Sequence, residues 1–515
     1  MLHQNFAYIL EKKADLHPVD IALIDGQTWR RYSYLELLER SCRFAQALLD
    51  RGLGKGDRIC CLTNNSVEYI DAFMASSRLG VTLCPINYRL SVVEMKTIIK
   101  DCDPKAILFD AEFSEKIKAI VDEFPGIQTV VSYGNKEFAW ASGLETITAE
   151  YNGSAPEIVS GSDLPLLMLY TAGSTGRPKG VPLRQSNLLF NALNWIIELG
   201  ISKNDYTLTV LPLFHIGGHM LWTLPHLIVG AKNLLLKRFD AEKTLQLIEK
   251  EKVTNTYLIP AMAKMVVALP EWGKYDLSSV RFVGSGGEAV SDRIKSSFGE
   301  IGIPVLNSYG LTETSDGTTT IRPYAGLDKP ANCIGKPLTF VDMKIVNHAG
   351  EEIKPHEEGE ILHRGPSVVS GYWNRPEETA KAFKDGWFFS GDKATRDQDG
   401  YVYFLGRKDD MIVTGGENVY PTEVEEVILG HSEVADVAVL GVPDEKWGQT
   451  IKAVICFKKG KEVGEKEIFK YLEDKLSGFK KPRIIEIVDQ LPKIGSGKLD
   501  RTLIRKTYGK QSNAM

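Results

Sequence analysis

The sequence predicts an α/β protein: a large N-terminal domain of helix-covered sheets with a β-rich subdomain, and a small mobile α+β C-terminal domain. Three observations support this class. Helix and strand signals alternate over residues 33–306, short strands joined by Gly and Pro turns follow residue 330, and a compact α+β stretch follows Arg407. Strands that alternate with helices are typical of largely parallel sheets whose faces are covered by helices.

The same change of pattern predicts the domain organisation. We expect an N-terminal domain over 1–408, in which the β-rich subdomain occupies about 330–408, and a C-terminal domain over 409–515. A tail of about 100 residues is long enough to fold as a domain. The last five residues, 511–515, carry no functional signal.

The first elements are marked by capping residues and glycines. Ser33 and Glu36 have capping-box spacing ahead of an apolar helical face, which predicts a helix that ends near Gly52. The apolar run Arg58–Leu62 predicts a strand, and residues 66–79 predict a helix that Gly80 ends. Residues 81–86 predict another strand, and similar alternation recurs over 97–132, 243–260 and 277–306.

The second half of the chain predicts shorter elements. Strands are expected over three segments before residue 408, namely 341–355, 359–365 and 401–407. Beyond it, helices are expected over 422–430 and 465–476, and strands over 434–442 and 451–457.

Composition excludes several classes of protein. Of the 515 residues, 43% are hydrophobic and 25% are charged, which is ordinary for a globular chain and excludes a disordered or fibrous one. The net charge of −5 offers no basic excess for a nucleic-acid partner. The seven cysteines are scattered without a CxxC pair, which indicates buried thiols in a reducing, cytoplasmic compartment rather than a disulfide framework or zinc ribbon.

One uncharged segment is long enough to cross a bilayer. Residues 206–231 hold no Asp, Glu, Lys or Arg, but they contain Pro212, Pro225, a double glycine and three histidines. Those polar groups would be costly in lipid, so the segment is interpreted as buried core or pocket wall and no transmembrane span is expected. The N-terminus carries charges where a signal peptide needs its apolar stretch. Peripheral contact with a membrane is compatible with these features.

The most informative segment is Tyr170–Gly180, which follows the apolar run Leu164–Leu169. Its glycines let backbone N–H groups approach an anion closely. Hydroxyl groups and positive charges are added by a further set of residues, Thr171, Ser174, Thr175, Arg177 and Lys179. This composition predicts a polyphosphate-binding loop.

Three alternatives compete for the same loop. A Walker P-loop needs Ser or Thr after its lysine, and Gly180 follows Lys179 here. Residues 172–176 resemble a nucleophile elbow, but an elbow leads straight into a helix, and Pro178 with its neighbouring glycines interrupts one. A mobile Gly-rich surface turn is the third alternative.

Two other motifs suggest cofactors that their context does not support. Residues 284–289 fit the loose dinucleotide pattern GxGxxA, yet no acidic residue stands about 20 positions further on. His215 and His219 have the spacing of zinc ligands on a helix, but no Glu follows His215 and the double glycine weakens a helix. Both segments are better interpreted as pocket residues.

The loop at 170–180 resembles the phosphate-binding signature of the adenylate-forming superfamily, which contains acyl- and aryl-CoA synthetases, peptide-synthetase adenylation domains and firefly luciferase. Ala172 stands where the family usually has Ser, which removes one hydroxyl. Further segments resemble family motifs in the expected order: Leu211–His215, Gly286–Ala289, Asn307–Glu313, Gly386–Asp392, Gly406–Asp410, Gly415–Asn418 and Pro492–Lys498. The resemblance spans nearly the whole chain and is strongest to fatty acyl-CoA ligases.

The resemblance implies which residues bind the nucleotide. The implied ATP and AMP contacts are Thr171, Gly173, Ser174, Thr175, Gly176, Lys179, Gly287, Glu288, Ala289, Tyr309, Gly310, Asp392 and Arg407. Asp392 is expected to accept from both ribose hydroxyls, and Tyr309 to offer an aromatic face to adenine.

The remaining implied roles concern catalysis. Thr312 is expected at the α-phosphate, and Glu313 is expected to hold Mg²⁺, which prefers hard oxygen ligands. Lys498 would bridge the carboxylate and the phosphate, and Asp409 would be the hinge between the two domain orientations. The implied acyl pocket contains His215, Gly284, Ser285 and Gly286, and Gly416 would line the pantetheine tunnel.

The resemblance therefore implies an AMP-forming acyl-CoA synthetase, with ATP, Mg²⁺ and coenzyme A and a small-molecule carboxylic acid as its partners. The uncharged segment 206–231 and the small residues 284–287 favour a medium- or long-chain fatty acid. The same small residues also suit the flat ring of a benzoate- or cinnamate-type acid. Luciferase-type oxidation would use the same adenylation residues, and an ATP-binding protein without turnover is the alternative from another functional class.

Overall fold

The structure is a computed structural model. It describes residues 2–134, 136–149, 151, 155–159, 164–171, 178–323, 329–414, 417–444, 447–461, 463–473, 475–476, 478–494 and 497–509.

Fifteen α-helices occur among the described residues. They are α1 (Phe6–Leu16), α2 (Tyr34–Leu49), α3 (Val67–Leu79), α4 (Val92–Cys102), α5 (Ser114–Val121), α6 (Leu144–Ala149), α7 (Gln185–Leu199), α8 (Leu224–Val229), α9 (Ala241–Glu251), α10 (Pro260–Val267), α11 (Asp292–Gly299), α12 (Pro376–Ala382), α13 (Pro421–Leu429), α14 (Glu465–Leu472) and α15 (Arg501–Tyr508).

The described part of the chain also forms 26 strands. They are β1 (Ile21–Asp25), β2 (Arg31–Ser33), β3 (Arg58–Leu62), β4 (Thr82–Pro85), β5 (Ala106–Asp110), β6 (Thr129–Tyr133), β7 (Ser142–Gly143), β8 (Pro165–Thr171), β9 (Lys179–Arg184), β10 (Tyr206–Thr209), β11 (Lys232–Leu235), β12 (Asn255–Tyr257), β13 (Phe282–Gly286), β14 (Val305–Leu311), β15 (Asp316–Thr320), β16 (Cys333–Pro337), β17 (Asp342–Val346), β18 (Gly359–Arg364), β19 (Phe383–Lys384), β20 (Trp387–Arg396), β21 (Val402–Arg407), β22 (Ile412–Thr414), β23 (Glu417–Val419), β24 (Val434–Asp444), β25 (Gly448–Phe457) and β26 (Ile484–Val488).

The chain divides into two compact units. Unit 1 contains residues 1–343 and 363–388, and unit 2 contains residues 344–362 and 389–515. Part of the predicted β-rich subdomain therefore groups with the C-terminal segment. The boundary near residue 408 remains a prediction.

Unit 1 contains a seven-stranded sheet in the order β7-β6-β5-β3-β4-β8-β9. Every neighbouring pair runs parallel except β8 and β9, which form an antiparallel hairpin. The prediction of largely parallel, helix-covered sheets is confirmed here, because helices connect most of these strands and cover both faces.

The second sheet of unit 1 follows the order β16-β15-β14-β13-β12-β10-β11-β1-β2. Its central strands, from β1 to β14, pair in parallel, whereas β2, β15 and β16 pair antiparallel at the two ends. Parallel strands place their carboxyl ends at one edge, which is where α/β sheets bind ligands.

Local signals set several helix ends as predicted. Ser33 and Glu36 form a reciprocal capping box at the start of α2. Gly80 ends α3 in the left-handed conformation with φ 66°, where a residue without Cβ is favoured. Both predictions are confirmed. Sequence could predict these ends because each depends only on residues within one turn of the helix end.

Unit 2 contains a five-stranded sheet in the order β23-β22-β25-β24, with β26 parallel to β25. Helices α13 and α14 bury Val424, Ile428, Ile468 and Leu472 against it. α14 ends at Leu472, earlier than the predicted end at residue 476. Strands β20 and β21 of the same unit pair antiparallel, and each carries one residue that is predicted to bind the nucleotide.

The uncharged segment 206–231 lies in the interior of unit 1, as predicted. It forms β10, a π-helical segment at Gly217–Thr223 and α8, and its Leu208, Trp222 and Leu224 are buried. Within the described residues, no helix combines the length and apolar character needed to cross a membrane.

Candidate functional site

Strands β8 and β9 flank the predicted phosphate loop in the sequence and pair antiparallel. Thr171 and Lys179 face each other at the last register position of the hairpin. Gly173, Ser174, Thr175 and Gly176, together with Ala172, lie outside the described residues. Because strand β9 follows the loop and no helix does, the nucleophile-elbow alternative fails in this structure.

Lys179 and Glu313 are linked through one tyrosine that the sequence did not single out. The Lys179 ammonium lies 5.1 Å from the ring centroid of Tyr372, within range of a cation–π interaction. The Tyr372 hydroxyl donates a hydrogen bond of 2.9 Å to Oε1 of Glu313. One tyrosine therefore contacts the carboxylate through its hydroxyl and the ammonium through its ring.

Glu313 sits in a short 3₁₀ turn, Thr312–Thr314, at the end of β14. Its backbone carbonyl accepts a 2.9 Å hydrogen bond from the Val369 amide, and its side chain is half-buried with that of Thr312. A half-buried carboxylate is a hard oxygen donor of the kind Mg²⁺ takes beside substrate phosphates. The residues present therefore fit a magnesium ion.

Tyr309 belongs to an aromatic stack in unit 1. Its ring lies 5.9 Å from the ring of His363, and His363 lies 6.4 Å from Phe388. Burial lowers the pKa of His363 to about 3, so this imidazole is neutral at physiological pH. The neutral ring supports Tyr309 from behind and leaves it half-exposed.

Gly310 follows Tyr309 at a point where strands β14 and β15 approach closely. A methyl group at this position would come within 1.9 Å of the Asp316 carbonyl oxygen. Glycine is therefore required at residue 310 by the backbone of the next strand.

The predicted adenine segment leaves the carboxyl end of β13 in a turn. Gly284, Ser285 and Gly286 are fully buried in the strand, whereas residues 287–289, which are Gly287, Glu288 and Ala289, are exposed beyond it. The Ser285 hydroxyl donates a 2.7 Å hydrogen bond to the Leu258 carbonyl. The structure thus separates a buried wall from an exposed turn within one motif.

Two aromatic side chains cover the glycines of that buried wall. A methyl group at Gly284 would approach Cδ2 of Tyr257 to 2.5 Å and Cη2 of Trp222 to 2.8 Å. The rings of Trp222 and Tyr257 meet edge to face at 5.2 Å, and the Tyr257 hydroxyl lies 2.9 Å from Oγ of Ser308. Sequence reasoning identified the glycines but missed the rings that fill the space above them.

His215 is half-buried beside Phe214, whose ring lies 4.6 Å away. The following segment, Gly217–Thr223, is π-helical despite its double glycine. His219 lies on this helix, fully buried and 4.4 Å from the ring of Phe73. Burial lowers the pKa of His219 to about 3.

Polar side chains line the sheet face that carries the glycine wall. Asn233, Thr207 and Asn255 occupy matching register positions on β11, β10 and β12, and all three are fully buried. In the described part of the chain, neither polar atom of the Asn233 side chain has a hydrogen-bond partner. His226 is also fully buried, and burial lowers its pKa to about 4.

In unit 2, Asp392 and Arg407 are paired across strands β20 and β21. They are register partners, and Nε of Arg407 lies 2.9 Å from Oδ1 of Asp392. The Asp392 side chain is 2% exposed and the Arg407 side chain is 55% exposed. The structure therefore brings together the two residues predicted to bind ribose.

Asp409, the predicted hinge, comes two residues after Arg407 in the sequence. Asp409 lies in the 3₁₀ turn Lys408–Asp410, and Nζ of Lys408 pairs with Oε2 of Glu360 at 3.2 Å. Asp410 pairs with Arg505 of α15, which ties the turn to the last helix. Gly416 lies outside the described residues.

Lys498 lies in a short hairpin of unit 2 ahead of α15. Its carbonyl accepts a 2.8 Å hydrogen bond from the Ile494 amide, and Lys493 and Leu499 bridge the two arms. Gly497 adopts φ 90°, a conformation that favours glycine at the turn. The turn presents a half-buried Lys498.

Comparisons with known proteins cover both units. The AMP-binding enzyme family model matches residues 10–373, and the AMP-binding enzyme C-terminal domain model matches residues 423–498. Feruloyl-CoA synthase from Amycolatopsis sp is 34% identical over 97% of this chain and 98% of its own length. Long-chain-fatty-acid–CoA ligase FadD13 from Mycobacterium tuberculosis is 32% identical over 98% of this chain and 99% of its own.

A solved structure gives the same result. ATP-bound MatB from Rhodopseudomonas palustris matches with a TM-score of 0.90 and 30% identity, over 98% of this chain and 99% of that one. The predicted superfamily, fold class, enzyme class and co-substrates are confirmed. The chain therefore belongs to the AMP-binding enzyme family of the adenylate-forming superfamily, and it is an AMP-forming acid–thiol ligase that uses ATP, Mg²⁺ and coenzyme A.

Proposed function

We propose that this ligase activates a compact aromatic carboxylic acid and transfers it to coenzyme A. The observation that carries the choice of acid is the covered glycine wall. Trp222 and Tyr257 occupy the space directly above Gly284, and both rings are buried. A long aliphatic chain lying along β13 would displace both rings, whereas a flat ring needs only a slot beside them.

The polar sheet face supports the same choice. Asn255 and Tyr257 are consecutive same-face residues of β12, and Tyr257 is the register partner of Gly284. The face beyond the glycine wall therefore carries Asn255, Thr207 and Asn233. The Thr207 hydroxyl already donates to the Asn255 carbonyl at 3.1 Å, and the Asn255 amide donates to Oδ1 of Asp205 at 3.2 Å. Among the described residues, the Asn233 side chain has no hydrogen-bond partner. A buried amide needs such a partner, which an aliphatic tail does not offer and a hydroxyl or amino group on an aromatic ring does.

The second candidate substrate is the medium- or long-chain fatty acid that the sequence favours. It is supported by the relatedness to FadD13, a long-chain-fatty-acid–CoA ligase. In that case Trp222 would swing aside to open a channel along the strand. The two candidate substrates require different positions of the Trp222 ring, so a substitution at Trp222 distinguishes them.

The first half-reaction, as we propose it, joins two anions. A carboxylate oxygen attacks the α-phosphorus of ATP, the new O–P bond forms, and the bond to the β-phosphate breaks to release pyrophosphate. Lys179 and Lys498 supply positive charge to the phosphates and to the acid, and Thr171 and Thr312 donate hydroxyl hydrogen bonds. Mg²⁺, when held by Glu313, would neutralise phosphate charge.

Four sets of residues are proposed to hold the nucleotide. Asp392 accepts hydrogen bonds from the ribose hydroxyls while Arg407 offers a second ribose contact. Tyr309, supported by His363, offers its face to adenine, and the exposed turn at 287–289 contacts its edge.

The second half-reaction replaces AMP with sulfur. The thiol of coenzyme A attacks the acyl carbonyl, a C–S bond forms, and AMP leaves with the oxygen that came from the acid. We propose that residues 409–515 reorient about Asp409 for this step, so that Lys498 moves away and Gly416 lines the pantetheine tunnel. We propose that His215 gates the passage between the acyl and thiol channels.

A panel of acids tests the proposed substrate. Pyrophosphate release with ATP, Mg²⁺ and coenzyme A should be faster with hydroxycinnamate, aminobenzoate or indole acids than with straight-chain acids of about eight to sixteen carbons. In the Trp222→Ala variant, the straight-chain acids should gain activity relative to the aromatic ones. Tyr257→Phe is the matched control, because it keeps the ring and should keep the size preference. Preference of the unaltered protein for straight-chain acids would establish the fatty-acid candidate instead.

A further inference from the structure

Three cysteine thiols that the ligase mechanism does not use converge inside unit 1. The Sγ atoms of Cys60, Cys84 and Cys102 all lie within 4.8 Å of one another, and those of Cys60 and Cys102 are 3.3 Å apart. All three side chains are fully buried. No sequence motif indicates this cluster, because the three residues are widely spaced along the chain.

The fold fixes this convergence through backbone geometry. Cys60 and Cys84 are register partners on the parallel strands β3 and β4, so their side chains point to the same sheet face. Helix α4 covers that face and ends with Cys102. Two sheet positions and one helix end therefore hold three sulfur atoms in a triangle.

Most side chains around the triangle are apolar, and the Tyr170 phenol also packs against this cluster. Met95, Ile99 and Phe109 are among the buried residues of the same core cluster. Among the described residues, the group comprises three metal-ligating side chains, and no His, Asp or Glu joins them. Because an apolar site penalises net charge, the ion that suits three thiolates best is one that neutralises all of them.

Charge and coordination number decide between ions. Zn²⁺ requires a fourth ligand and would leave three thiolates with a net negative charge. A trivalent thiophilic ion forms three bonds to sulfur and gives a neutral product. We propose that Cys60, Cys84 and Cys102 form a binding site for trivalent arsenic, taken up as arsenous acid.

The binding step balances without any further reactant. One As(OH)₃ and three thiols give As(SR)₃ and three water molecules: three As–O bonds break and three As–S bonds form. Each thiol proton leaves with one hydroxyl group, and arsenic and sulfur keep their oxidation states.

The triangle lies within the packed core of unit 1. Entry requires local opening of the packed core, so uptake is slow.

The test uses the full-length protein, reduced and freed of reductant, and incubated with sodium arsenite. Mass spectrometry under native conditions should show one arsenic per chain with the loss of three protons. Thiol titration in denaturant, performed before release of the ion, should show three of the seven cysteines blocked. Arsenic X-ray absorption should show three sulfur neighbours and no oxygen.

Matched variants assign the site. Cys102→Ser should abolish three-thiol binding, and Cys102→Ala serves if the serine variant fails to fold. Cys61→Ser should bind like the unaltered protein, because Cys61 is adjacent to Cys60 but points to the opposite face and packs in a different core cluster.

Equal arsenic uptake by the Cys61→Ser and Cys102→Ser variants would overturn the assignment. So would fewer than three blocked thiols, or no uptake even after unfolding and refolding with arsenite. The readouts do not depend on ligase activity, so they test the cluster independently of the proposed substrate.

Discussion

The Tyr372 hydroxyl donates a 2.9 Å hydrogen bond to Glu313, and the same ring lies 5.1 Å from the Lys179 ammonium. One side chain therefore orients a carboxylate suited to Mg²⁺ and a cation suited to phosphate. Tyr372 is 59 positions from Glu313 along the chain, so the relationship depends on the fold rather than on a local motif. We infer that Tyr372 is a positioning residue for the adenylation step.

Replacement of Tyr372 by Phe should weaken this positioning. A hydrogen bond to a charged group contributes about 1.5–3 kcal/mol, so we expect kcat/KM for pyrophosphate release to fall about 10- to 100-fold. The Mg²⁺ concentration needed for half-maximal rate should rise, which a merely structural change would not cause. Tyr206→Phe is the control, because it removes a 3.1 Å hydrogen bond to Glu251 instead. An unchanged Mg²⁺ requirement in Tyr372→Phe would remove the positioning role.

Lys498→Ala should affect the two half-reactions unequally. We expect adenylation to slow on the order of 10²-fold or more, because a positive charge at the reacting anions is lost. Thioester formation from supplied acyl-adenylate and coenzyme A should change far less. Single-turnover measurements of each half-reaction separate the two, and Lys493→Ala on the same hairpin provides a control. Equal losses in both half-reactions would refute the assigned role.

Asp392→Asn should weaken nucleotide binding. The substitution replaces one acceptor oxygen by an amide that only donates, and it removes the negative charge that pairs with Arg407 at 2.9 Å. We expect the dissociation constant for a non-hydrolysable ATP analogue to rise about 10- to 100-fold in calorimetry. Lys408→Ala, which breaks the adjacent pair with Glu360, should leave that constant nearly unchanged. Normal binding by Asp392→Asn would show that ribose is held elsewhere.

His219 should make the folded protein sensitive to acid. Its pKa is lowered by burial to about 3, whereas an unfolded histidine titrates near 6.5, so only the unfolded chain is protonated between these values. Neutral His219 therefore contributes fully to the free energy of unfolding above pH 6.5. This contribution is lost as the pH falls toward 3, at about 1.4 kcal/mol per pH unit.

His219→Gln tests this contribution by difference, so that other titrating groups cancel. The variant should be less stable than the unaltered protein above pH 6.5, and the gap should narrow at about pH 5. Urea unfolding followed by tryptophan fluorescence gives the free energies at both pH values. A gap that stays constant would mean that His219 keeps an ordinary pKa.

Local signals account for the parts of the fold that sequence predicted well. The capping box at Ser33 and the glycine end at Gly80 depend on contacts within a few residues, and both are present. Alternation of strands and helices predicted the parallel sheets, because parallel strands require crossover connections. The predicted start of helix 465–476 was right and its end was wrong, since propensity does not determine where tertiary packing stops a helix.

The candidate site was predicted less completely than the fold, because part of it depends on residues that are distant in the sequence. Ordered motifs identified Asp392 and Arg407, which the structure pairs, and Lys179 and Glu313, which it links through Tyr372. Trp222 and Tyr257 could not be predicted as the cover of Gly284, because they belong to other elements that reach the wall only after the sheet forms. The same reason hid the convergence of the three cysteines.

The most direct test of the account follows oxygen from the acid to the nucleotide. The protein is supplied with ATP, Mg²⁺, coenzyme A and an acid whose carboxylate carries ¹⁸O, and the products are weighed by mass spectrometry. Attack of the carboxylate on the α-phosphorus predicts one ¹⁸O atom in AMP and none in pyrophosphate. Unlabelled AMP, or label in a phosphate product, would contradict an acyl-adenylate and with it the proposed function.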